Sequence, residues 1–321
     1  MKSFLRNFSI LLFLFNSIAH ADLHDEIILL KKLYQERSYY QARQLAEKLK
    51  NEPSTSFYAS LIIADIDFME GDYYSAKAKI EILMEQYPEK KEMLKKKLEK
   101  IEKEEAFLKN SNKDQIKLFN IIWKTSFKTP NIYNHIQEIL IDAYRKGGSF
   151  FGWYPDDIID IMVYSPKEYQ TYTITPHWSQ GAYDGKIRLK INEQINYSQL
   201  KELIFHEYAH LAIASITKGR CPTWLNEGIA QYFAEQKVIT NKSSTVLNYK
   251  DFPNNWDDLD ENTIKNLYQE SYRLVATLIN KTDEFVIQSI LNLLGKNISL
   301  DTAIDEAVSV FGYNSQTIFN D

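Results

Sequence analysis

Apolar residues recur at helical spacing through the first third of the chain and then change period. From Leu23 to about Pro88 they fall three and four residues apart, broken by short polar stretches. That pattern predicts a run of helices, each burying one face. Within it Tyr39-Tyr40-Gln41-Ala42 returns as Tyr73-Tyr74-Ser75-Ala76, an offset of 34 residues. The run therefore predicts two helix–turn–helix units, roughly residues 23–56 and 57–90. Gly71 stands where a helix needs a residue tolerant of positive φ to end it. Glu89 to Glu105 is dense in Lys and Glu, with Leu94, Leu98 and Ile101 at helical spacing. It predicts a helix that caps the repeats and keeps a solvated charged face. Asn110 to Asp114 reads as a linker and a domain boundary.

Beyond it the pattern is mixed. Ile116 to Trp123 reads as a helix, and Tyr133 to Lys146 as another, ended by Gly147 and Gly148. Asp157 to Tyr164 is rich in β-branched residues and predicts a strand, and Pro166 to Tyr172 a short helix. Gly185 to Ile191 alternates polar and apolar residues after an Asp-Gly turn signal, as a half-buried strand does. From Ser198 onward the chain reads as mainly helical. The expected fold class is α+β, mostly helical. An N-terminal helical-repeat module spans residues 22–110, and a second domain with a small mixed sheet spans 115–321.

The first residues form a separate pattern. Lys2 and Arg6 precede an almost wholly apolar run over residues 8–18, and Ala19-His20-Ala21 follows. This is the three-part layout of a secretory signal over residues 1–21, with a mature chain starting near Asp22. The expected location is periplasmic or secreted, or membrane-anchored if the signal stays uncleaved. No other stretch reaches transmembrane length, so no membrane span is expected in the mature chain. The net charge of -5 lacks the basic concentration that nucleic-acid binding needs. Cys221 is the single cysteine, which excludes an intrachain disulfide.

The chemistry-bearing segment is His206-Glu207-Tyr208-Ala209-His210. Asn196 predicts the N-cap of its helix, with Gln199 at the third helical position and Ile195 placed to pack on Leu200. Residues four apart on a helix share a face, so His206 and His210 point the same way and can bind one zinc ion. Glu207 is one residue further round, placed to take a proton from bound water as general base. Pro222 to Ala230 predicts a further helix, on which Glu227 supplies the third ligand that leaves a catalytic zinc one open position. Asn226 is placed to orient a ligand. His135 has no partner at ligand spacing, His177 precedes the strand expected to line the cleft and reads as a structural or surface residue, and no base is placed in sequence to make Cys221 a nucleophile.

His206-Glu207-Tyr208-Ala209-His210 followed by Trp224-Leu225-Asn226-Glu227-Gly228-Ile229-Ala230 resembles the gluzincin metallopeptidases, and within them the peptidase MA-like domains. Gln180 to Ile187, the segment Tyr268-Gln269-Glu270-Ser271, and Leu300 to Phe311 are similar to further parts of that group. The N-terminal repeats resemble tetratricopeptide units. The resemblance implies a zincin-like domain over 115–321 with an active-site helix. It also implies zinc on His206, His210 and Glu227, and catalysis by Glu207. Tyr268 and Tyr272 become candidates to stabilise the oxyanion, since the group carries a tyrosine on this downstream helix. The expected activity is hydrolysis of peptide bonds by zinc-activated water. No Gly-x-Met-Glu-Asn segment is present, which favours an endopeptidase. The expected partners are a peptide or protein substrate, with a protein partner recruited through the repeats. The rival reading is a non-catalytic repeat scaffold with a vestigial zinc site.

Overall fold

The computed structural model describes residues 23, 25–34, 39–124, 130–173, 181–236, 247–253, 256 and 259–319. Residues 1–21, expected to be a signal segment, and His177 lie outside them. The chain is mostly helical with one mixed sheet, and it divides into two compact units, Met1–Ala106 and Phe107–Asp321.

The first unit contains α1 (residues 25–34), α2 (Tyr39–Leu49), α3 (Ser56–Glu70), α4 (Tyr73–Gln86) and most of α5 (Lys91–Leu108). The recurring Tyr-Tyr-x-Ala segments open α2 and α4. In both, the alanine (Ala42, Ala76) is fully buried and the second tyrosine (Tyr40, Tyr74) faces solvent. Small residues at those positions let neighbouring helices approach. Gly71 ends α3 with φ 85°, and Asp72 then caps α4 by accepting from the Ser75 amide. Leu94 and Ile101 of α5 are buried against α3 and α4, as their spacing predicts. Asp67, almost wholly buried, accepts from Arg43 Nη1 at 2.7 Å and Lys79 Nζ at 2.6 Å. Two cations from neighbouring helices thus offset the cost of burying that carboxylate.

In the second unit five strands form a sheet in the order β1-β2-β3-β5-β4. They are β1 (Ser111–Ile116), β2 (Phe119–Lys124), β3 (Ile159–Tyr164), β4 (Gly181–Tyr183) and β5 (Ile187–Lys190). The inner pairings β2–β3 and β3–β5 are parallel, and the outer pairings β1–β2 and β5–β4 are antiparallel. Residues 111–124 depart from the sequence expectation: the presumed linker is β1 and the presumed helix is β2, joined at Lys117 with φ 51°. The reason is two-sided burial. Phe119 and Ile121 enter the main core while Ile122 enters a second core with Met162 and Tyr164. A strand buried on both faces loses the alternation that marks strands.

The main core lies between the sheet and a layer of helices: α6 (Pro130–Phe151), α8 (Tyr197–Thr217), α9 (Thr223–Phe233), α10 (Glu261–Lys281), α11 (Phe285–Gly295) and α12 (Leu300–Val308). The short helix α7 (Pro166–Tyr172) contributes Tyr169 to the second core. Helix α6 also departs from expectation, because it continues through Gly147 and Gly148. A Cβ on Gly147 would come within 2.3 Å of the Tyr208 ring, and one on Gly148 within 2.0 Å of the Tyr154 ring. These glycines admit aromatic rings against the helix backbone rather than ending the helix. Among the described residues no helix is long and apolar enough to cross a membrane.

Candidate metal centre

The site is built on α8. Asn196 and Gln199 close a reciprocal capping box at its start, worth about 1 kcal/mol for the cap itself. The helix ends in the left-handed pair Lys218 (φ 55°) and Gly219 (φ 73°), and α9 starts directly after Pro222. That reversal returns the chain so that α9 packs on α8. The short stretch of chain between His210 and Glu227 is bridged by this reversal.

His206 and His210 lie one turn apart with their rings perpendicular, and their Nε2 atoms are 3.0 Å from each other. Glu227 Oε2 stands 3.5 Å from His206 Nε2 and 3.6 Å from His210 Nε2. One donor atom from each residue falls within 4.8 Å of the other two, so these three side chains can hold a metal ion. His210 Nδ1 lies 3.0 Å from Asn226 Oδ1. An amide oxygen only accepts, so Nδ1 carries the proton of this contact, and Nε2 is the ring nitrogen that faces His206. Asn226 therefore meets His210, where its place beside Glu227 had suggested that it orients Glu227. His206 Nδ1 and Glu227 Oε2 are buried and have no hydrogen-bond partner among the described residues.

Glu207 is 3% exposed, and its Oε2 has no hydrogen-bond partner among the described residues. Burial pushes its carboxyl up to about 7, with His210 acting to lower it and Glu227 to raise it. The neighbouring ligand moves the other way. The carboxyl of Glu227 is held below its ordinary value, because the two histidines outweigh burial. Gly181 of β4 lies directly over Glu207: a Cβ there would stand 2.4 Å from Glu207 Oε1. Only glycine leaves that carboxylate its place.

Tyr268 of α10 lines the same cavity of about 460 Å³, together with Gly181, Tyr183, His206, His210 and Glu227. Its phenol is pushed well above the ordinary tyrosine value by burial, then by the charges of Glu227 and Glu207. Tyr272 is not brought there. One helical turn further along α10, it lines a different cavity with Phe150 and Tyr232. Cys221 is half-buried, and its thiol is pushed far up by burial, which withholds the nucleophilic thiolate. His135 packs its ring edge-on against Tyr197.

Two further residues shape the site without touching its donors. Gln231, nearly buried, donates from Nε2 to the backbone oxygens of Glu227 (3.2 Å) and Tyr268 (3.0 Å), bracing α9 to α10. Gly228 allows that contact, since a Cβ on it would come within 2.4 Å of the Ser271 carbonyl oxygen. The sequence signal for Gln231 was a lone amide four residues after Glu227, among apolar neighbours. Gly181 carried no signal by composition, because its reason is a neighbour 26 positions away.

No model of a known protein family matches the chain, and no curated protein matches it.

Proposed function

We propose that the chain is an exported zinc metallopeptidase of the gluzincin type, resembling the peptidase MA-like family. It hydrolyses peptide bonds as an endopeptidase, and its N-terminal helices act as tetratricopeptide-like repeats that recruit a protein substrate or partner. One observation carries this reading: three converging donors from His206, His210 and Glu227 adjoin a buried carboxylate, Glu207, whose Oε2 has no hydrogen-bond partner among the described residues. Donors bound at about 2.0–2.1 Å around a tetrahedral ion stand about 3.3 Å apart. The separations of 3.0, 3.5 and 3.6 Å bracket that value. Two imidazoles and one carboxylate are also the donor set of a hydrolytic zinc site.

His206, His210 and Glu227 would hold the zinc, which would supply Lewis-acid polarisation and lower the pKa of a bound water from its bulk value to about 7. The remaining work belongs to the chain. Glu207, buried beside the donors with one oxygen unpartnered, is placed to accept a proton from the attacking water and return it to the leaving amine. Asn226 holds His210 in the tautomer that directs Nε2 inward. The Tyr268 hydroxyl stays protonated across the working pH range and donates to the charge that grows on the substrate carbonyl oxygen. Gly181 keeps β4 close while leaving Glu207 free of a side-chain clash.

The test is metal analysis of the purified full chain alongside two variants. We expect about one zinc per chain, lost in His206→Ala. Glu207→Gln should keep the ion and lose cleavage of a peptide blocked at both ends. A wild-type chain that takes up no metal on loading would overturn the reading. So would full turnover by zinc-loaded Glu207→Gln.

A further inference from the structure

A second cavity in the same unit, about 720 Å³ in volume, shares no lining residue with the metal centre. It lies where α6, α9 and α10 meet the start of α11. Three rings form its apolar wall in a near-parallel row. Phe150 and Tyr232 are 6.2 Å apart at 28°, and Tyr232 and Tyr272 are 6.4 Å apart at 32°. The two tyrosines are half-buried, so part of each ring faces the cavity.

The charge around this wall is unbalanced. Lys146 also lines the cavity, but its ammonium is bound to Glu235 Oε1 at 2.5 Å and lies over the Phe205 ring at 5.6 Å. That leaves Glu284, whose carboxylate makes no ion pair or hydrogen bond among the described residues. Its charge acts on the wall: the Tyr232 hydroxyl is pushed up by burial first and by Glu284 next. Aromatic faces attract cations through the ring quadrupole, and a carboxylate beside them adds a counter-charge. A planar guanidinium stacks on such rings while its N–H fork reaches a carboxylate, which a compact ammonium does less well.

We propose that this cavity is a binding site for the arginine side chain of a polypeptide, stacked on Tyr232 and Tyr272 and paired with Glu284. The site does not depend on the hydrolytic reading of the metal centre. Tyr268 and Tyr272 nonetheless stand one turn apart on α10, about 6 Å along its axis. A polypeptide anchored here would therefore pass near the metal cavity.

The test uses the full chain and two probes of nearly equal shape, Nα-acetyl-arginine amide and its neutral analogue Nα-acetyl-citrulline amide. In ligand-observed NMR titrations the arginine probe should saturate and bind at least tenfold tighter than the citrulline probe. Glu284→Gln, an exposed change remote from the core, should weaken the arginine probe at least fivefold and leave zinc content unchanged. Tyr272→Leu should weaken it similarly, whereas Tyr272→Phe, which keeps the ring, should preserve it. Equal affinity for the two probes would overturn the proposal, as would no saturation by the arginine probe or unchanged binding in Glu284→Gln. Equal binding of Nα-acetyl-lysine amide would remove the guanidinium assignment.

Discussion

Asp67 in the helical N-terminal unit and Glu207 in the sheet-bearing unit are both carboxylates removed from water, at 4% and 3% exposure. Their surroundings are opposite. Asp67 is met by Arg43 and Lys79 within 2.7 Å, and its charge ties α3 to α2 and α4. Glu207 has no cation within salt-bridge distance among the described residues, and one of its oxygens has no partner there. A buried acid matched by cations is architecture. A buried acid left unmatched lowers stability, and its retention calls for a chemical reason.

The comparison is broken most strongly by turnover. With zinc in place, Glu207→Gln should lower kcat by about 10³-fold, within the range general bases supply. Asp67→Asn should leave kcat unchanged; a peptide-cleavage assay on both variants decides. Stability should respond with opposite signs to the same chemical change. In metal-free protein the folded-state carboxyl of Glu207 sits at about 7 against 4.5 for an ordinary carboxyl. Its ionisation therefore costs nothing below pH about 4.5, and stability is lost progressively as the pH rises through about 7. Glu207→Gln never ionises, so it should exceed the wild type by about 3 kcal/mol at pH 8 and converge with it below pH about 4.5. Asp67→Asn should instead cost about 2 kcal/mol at pH 8, below the fully buried range because its cations are about a third exposed. Chelator-treated samples, unfolded in urea at both pH values, report both quantities.

Smaller effects sharpen the picture of how Glu207 is served. Gly228→Ala forces a methyl against the Ser271 carbonyl oxygen, and should cost about 1–3 kcal/mol while moving Tyr268 away from Glu227. Thermal melting should fall by several degrees, and kcat should fall with it while zinc binding persists. Tyr268→Phe, the mildest change, should lower kcat about tenfold with KM nearly unchanged, as loss of a donor used only in the transition state predicts. A normal kcat in that variant would assign Tyr268 to packing against Trp256, whose ring it meets edge-on at 5.5 Å.

Much of the candidate site was legible because it depends on local periodicity. Four-residue spacing on one helix brings His206 and His210 together wherever that helix sits, and the capping residues Asn196 and Gln199 mark its start. Tyr268 and Tyr272 share the same periodicity, yet only one reaches the donors, because α10 passes the cavity rather than facing it along its length. Spacing within an element cannot say where a neighbouring element begins and ends. The β1–β2 hairpin was illegible for a related reason, since burial on both faces erases the alternation of β2. Gly147 was misread because a glycine that admits the Tyr208 ring looks, in sequence, like one that stops a helix.

The reversal at Lys218 and Gly219 has a further consequence, for inheritance. It gathers both histidines, Glu207, Asn226 and Glu227 into one continuous hairpin of chain, from Asn196 to Phe233. Gly181 and Tyr268 come from a strand before it and a helix after it. On the proposed function, affinity for an ion is carried by a cassette that recombination can move in one piece. The reaction is not, because its flanking parts must be inherited separately and remain in register. A lineage that exchanged only the hairpin would acquire the metal without the catalyst.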